Sequence, residues 1–150
     1  MQGLLTYIAT LGPIGYMPFA PGTYGTLAAL VCVMVFSPSL QSHFLLFVII
    51  TIVGSFASTA AERAFNQKDS SRIIIDEVAG FFIATLAVPH STPLLIAAFI
   101  LFRFFDILKP LMIRKLESAL SGGVGVMADD ILAGLYANII LQVYLHAIPH

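Results

Sequence analysis

Residues 44–60 read FLLFVIITIVGSFASTA, an apolar run without a single charged side chain. Such a run approaches the roughly 20 residues that a helix needs to cross a bilayer core. It shows no period-two alternation of the barrel type, so a helix is the expected form. Residues 131–148 make the other run near this length. Runs at 26–36, 78–88 and 94–105 are shorter; they must recruit flanking polar residues, tilt, or end inside the bilayer against protein, because unpaired backbone is costly in lipid. The expected fold is therefore all-α: a multi-pass membrane helical bundle with short or broken helices and four to five spans. Residues 1–150 are expected to form one membrane-embedded domain.

Composition supports a bilayer as solvent. The chain of 150 residues is 59% hydrophobic and 10% charged, with mean hydropathy +0.96, whereas a soluble domain carries about 25% charge. Seven basic and eight acidic residues leave a net charge of -1, so the basic field that nucleic acid requires is missing and no nucleic-acid partner is expected. Cys32 is the sole cysteine, which excludes an intrachain disulfide and a cysteine metal cluster. The opening MQGLLTYIATLGPIG lacks the basic region and cleavage site of a signal peptide, so the mature chain is expected to be the whole chain.

Turn-rich stretches separate the runs: SPSLQSH at 37–43, NQKDSSR at 66–72, PHSTP at 89–93 and SGGVG at 121–125. All charged side chains lie between Glu62 and Asp130. The basic ones fall into two groups, Arg63, Lys68 and Arg72, then Arg103, Lys109, Arg114 and Lys115, with none in SPSLQSH or PHSTP. By the positive-inside rule both groups face the cytoplasm. Threading the helices through this constraint brings three separate polar motifs to one side.

Four stretches could carry chemistry. In PFAPGTYGTLAAL, residues 18–30, Pro21 and Gly22 break the chain before a helix expected to begin near Thr23 to Thr26; a helix N-terminus with glycine and threonine donors can cradle a phosphate, or can simply be a capped turn. In SSRIIIDEVAGFF, residues 70–82, Asp76 and Glu77 enter an apolar helix, either as caps to its dipole or as a paired or metal-bound set. In FRFFDILKP, residues 102–110, Arg103, Asp106 and Lys109 form a stripe at every third position. That stripe is either a snorkelling ion pair or a metal-binding acid flanked by two phosphate-binding cations. In SGGVGVMADDILAG, residues 121–134, glycines precede Asp129 and Asp130, which are expected to open the last helix as Asp76 and Glu77 open theirs. Carboxylates so placed are hard oxygen ligands of the kind magnesium takes beside substrate phosphates. Glu62, Asp69 and Arg72 are expected to support the same region, while His43, His90, His146 and His150 look isolated and receive no catalytic part.

These four blocks, in this order and across most of the chain, resemble the phosphatidylglycerophosphatase A family. Small departures are Leu111-Met112-Ile113, where a proline-containing segment is usual, and Ala128, where a larger aliphatic is usual; they bear on local packing. The resemblance implies a magnesium-dependent enzyme of the bacterial inner membrane, with its active site on the cytoplasmic side. It implies a phosphoric monoester hydrolase that converts phosphatidylglycerophosphate to phosphatidylglycerol. Asp76, Glu77, Asp106, Asp129 and Asp130 are the expected catalytic and Mg2+-binding residues; Arg103 and Lys109, with Thr23 and Thr26, are expected to bind the substrate phosphate. The nucleophile stays open between water and an aspartate. The competing class is a small ion-coupled transporter, whose acids belong near mid-membrane with access from both sides.

Overall fold

The computed structural model describes residues 1–110, 112–113, 115 and 119–147, and among them it is all-helical, with no strand. Leu111, Arg114 and His150 lie outside the described residues. Among the described residues, six bounded α-helices follow in chain order: α1 Gln2–Ala9, α2 Pro21–Phe36, α3 Leu40–Phe65, α4 Ile75–Ala84, α5 Thr92–Leu108 and α6 Gly122–Ala147, with a 3-10 turn at Ile14–Tyr16.

Local chemistry sets most boundaries. Pro21 opens α2 at a position where a missing N–H costs nothing, and Ser37 ends it in the left-handed region, just before Pro38. The Ser39 hydroxyl accepts the Ser42 N–H to cap α3, which ends on left-handed Asn66. Lys109 ends α5 in the same conformation, directly before Pro110.

At 26 residues each, α3 and α6 are long and apolar enough to cross a membrane; about 39 Å of helix fits that task. The outward faces carry large apolar side chains in quantity, among them Val31, Val35, Leu45, Ile49, Ile52, Phe56, Ile96, Ile100, Ile139 and Val143. An exterior of this kind is what a lipid-facing surface requires, and the protein is membrane-associated.

Helix α6 is the hub and packs on α3, α4 and α5, with α2 lying against α4 and α1 against α3. Small residues make this possible. A Cβ on Gly134 would collide with the Gly80 carbonyl oxygen, so α4 and α6 meet backbone to backbone. A Cβ on Gly123 would collide in the same way with the Ser55 carbonyl oxygen on α3. At only ten residues, α4 ends early, and side-chain amides of α6 donate to the carbonyls at its end: Asn138 to Ala84 and Leu86, and Gln142 to Leu86 and Ala87.

The structure departs from the sequence expectations in three places. The glycines of SGGVG do not precede the last helix but lie in it from Gly122 onward, because packing against α3 outweighs their low helix propensity. Asp129 and Asp130 therefore sit about two turns inside α6 rather than at its start. Helix α2 begins at Pro21, ahead of Thr23. The buried His43 is not isolated: its Nε2 lies 2.9 Å from the Phe82 carbonyl oxygen, and its ring centroid lies 5.7 Å from that of His90.

Candidate active site

A cavity of about 440 Å³ opens where the N-terminal ends of α2 and α4, the C-terminal end of α5 and the first turns of α6 converge. Asp76, Glu77, Arg103, Asp106, Lys109, Asp129 and Asp130 all line it. Seven of the nine site residues expected from the sequence thus meet in one place, although they come from three separate stretches of a chain segment running from Asp76 to Asp130.

The carboxylates divide into two groups. Oxygens of Asp76, Glu77 and Asp130 lie within 4.8 Å of one another. Asp76 and Asp130 are buried, and Asp76 Oδ1, Glu77 Oε2 and Asp130 Oδ2 have no hydrogen-bond partner. Three acids crowded in a dry setting repel one another strongly, and each orphaned oxygen forfeits the hydration it had in water. A divalent cation bound by hard oxygen ligands relieves both costs, so the donor set fits magnesium. Asp106 and Asp129 instead engage the cations. Arg103 Nη1 lies 2.5 Å from Asp106 Oδ2 and 3.8 Å from Glu77 Oε1; Lys109 Nζ donates to Asp129 Oδ2 at 2.6 Å. Adjacent residues on a helix point about 100° apart, which is how Asp129 reaches Lys109 while Asp130 faces Asp76 and Glu77.

Gly22 lies close against this centre. A Cβ there would collide with Glu77 Oε1, so the start of α2 presses against the acid, and any larger residue would displace its carboxylate. Thr23 and Thr26 do not line the cavity; the buried Thr26 hydroxyl donates to the Gly22 carbonyl within its own helix. The cavity-facing part of this motif is therefore its Pro21-Gly22 end rather than its threonines.

Of the supporting residues, Asp69 lines the cavity and its N–H donates to Glu62 Oε1, while the Arg72 guanidinium lies over the rings of Tyr16 and Phe65. Phe19, Ser70, Ser71, Ile73 and Ile107 also form part of the wall. None of these five was expected at the site, and only the Ser70-Ser71 dipeptide, in a polar loop before Asp76, carries any signal in the sequence.

Fold and site together define a class: a membrane-associated helical protein with a cluster of carboxylates in one cavity, beside an arginine and a lysine. The chain belongs to the phosphatidylglycerophosphatase A family, whose family model matches residues 7–145. It is 39% identical to the phosphatidylglycerophosphatase A of Haemophilus influenzae over 81% of this chain and 77% of that protein. It is 33% identical to the Escherichia coli phosphatidylglycerophosphatase A over 90% of this chain and 80% of that one. A Bacteroides thetaiotaomicron protein provisionally named phosphatidylinositol-3-phosphatase is 44% identical, over 86% of each chain. No solved structure matches. Family membership makes the protein a lipid phosphatase that hydrolyses a phosphate monoester, in line with the enzyme class expected from its sequence.

Proposed function

We propose that the protein removes the terminal phosphate of phosphatidylglycerophosphate with the help of Mg2+, as a multi-pass enzyme of the bacterial inner membrane working at the cytoplasmic face. The observation that carries this reading is the pairing, in one cavity, of three carboxylates bearing unpartnered oxygens with an arginine and a lysine. Asp76, Glu77 and Asp130 hold the ion. Bound Mg2+ supplies charge neutralisation at the phosphoryl oxygens.

Arg103 and Lys109 bind the phosphate, the guanidinium offering two parallel N–H donors to its oxygens. Asp106 and Asp129 aim these two cations through their ion pairs. Hydrolysis breaks the bond between phosphorus and the terminal glycerol oxygen. Water supplies the new phosphate oxygen, a carboxylate of the cavity accepts its proton, and that carboxyl returns the proton to the departing glycerol oxygen. Trapping a phosphorylated aspartate would replace direct water attack with a two-step route.

The name of the Bacteroides relative favours a second substrate reading, the ring phosphate of phosphatidylinositol 3-phosphate. The transporter reading is disfavoured, because the acids collect at one end of the bundle instead of lying midway with access from both sides. The deciding experiment measures phosphate release by the purified protein from phosphatidylglycerophosphate, phosphatidylinositol 3-phosphate and phosphatidic acid, with magnesium and with EDTA. Fastest release from the first, abolished by EDTA, is expected. Release from none of the three removes this reading.

A further inference from the structure

Phe19 is 100% exposed yet lines the polar cavity, and its backbone is held at φ 77, a region that a bulky side chain rarely occupies. Pro18 precedes it and Pro21 opens the helix two residues later, so the strained ring is presented from a stiff segment. Strain of this kind persists where the surroundings impose it, and it clusters at ligand sites. From a different element, Ile107 of α5 is 72% exposed and lines the same cavity. Below it on α5 come Phe104 and Ile100, both exposed; their spacing of three and four residues places all three on one face. This apolar stripe covers about 10 Å of helix and ends at the cavity. A cavity lined with carboxylates and cations has no use of its own for two exposed hydrophobes. A substrate with a phosphorylated head and acyl tails has.

We propose that Phe19 and Ile107 form the lip over which the diacylglycerol part of a lipid substrate passes, with Phe104 and Ile100 guiding an acyl chain away from the cavity. This inference rests on the lipid-phosphatase reading above and assigns the residues that make the enzyme select a membrane lipid over a soluble phosphate ester. Phe19 and Ile107 position substrate and take no part in bond breaking.

The test compares kcat/KM for a long-chain diacyl phosphatidylglycerophosphate with that for its dihexanoyl analogue, both in detergent, for wild type, Phe19→Gly, Phe19→Leu and Ile107→Ser. Glycine relaxes the left-handed backbone while removing the ring, so loss of folding does not confound that variant. The long-to-short ratio is expected to fall about tenfold in Phe19→Gly and Ile107→Ser, through KM of the long-chain lipid; a tenfold change corresponds to about 1.4 kcal/mol. Leucine at position 19 is expected to restore most of the ratio. An unchanged ratio in both variants, or a parallel loss on both substrates, overturns the proposal and leaves the phosphatase reading intact. No phosphate release by wild type from either lipid overturns both.

Discussion

Asp129 and Asp130 are neighbours in sequence and partners of opposite kinds in space, one bonded to Lys109 and the other grouped with Asp76 and Glu77. Replacing Asp130 or Asp76 by asparagine removes a charge from the proposed ion site while keeping shape. Loss of a supporting residue around a metal already costs about 10–100-fold, so at least about a hundredfold loss of turnover is expected, with membrane insertion unchanged in a fractionation assay. Near-normal activity in both variants would dismiss the carboxylate group as the metal centre. Gly22→Ala tests geometry rather than charge. Its methyl would collide with Glu77 Oε1, and a shift of about 1 Å at a reacting centre can cost roughly a hundredfold. A large fall in kcat with little change in Tm is expected, and an alanine variant with normal kinetics would show that α2 gives way freely.

Among the elements, the contact of α4 with α6 sets the distance from Asp76 and Glu77 to Asp130. Gly134→Ala inserts a methyl against the Gly80 carbonyl; overpacking of this sort costs about 1–3 kcal/mol. A lowered Tm together with weakened magnesium affinity is expected, and the measurement pairs a detergent melting curve with an activity titration against the ion. If stability falls but the magnesium dependence stays put, α4 and α6 do not hold the acids at their spacing. The four polar blocks and the helical class were legible in the sequence, because long uncharged apolar runs demand a helix in lipid and acids placed beside them demand a partner. The start of α6 was not legible. Glycines at 122, 123 and 125 look like a break until the close approach of α3 is known, and that contact joins residues far apart in the chain. The division of labour among the five acids was hidden for a related reason: adjacent helix positions diverge, and which neighbour each one meets depends on the docking of α5 and α6.

At the scale of the whole molecule, charge and cavity share one end of the bundle, and the paired rings of His43 and His90 mark the other. The topology proposed for the membrane predicts that a cysteine at Lys68 reacts with an impermeant thiol reagent only from the cytoplasmic side, and one at Ser91 only from the opposite side. A Cys32→Ser background keeps the readout clean. Labelling of both from one side would break the proposed threading. The same topology gives the capped end of α4 a mechanical role. Helix α4 reaches only about 15 Å, and the carbonyls at its end are taken up by Asn138 and Gln142 where lipid has no donor to offer. Those two amides act as a mooring: they tie the far end of the short helix to α6, and so help to fix, from the end remote from the cavity, where Asp76 and Glu77 stand against Asp130.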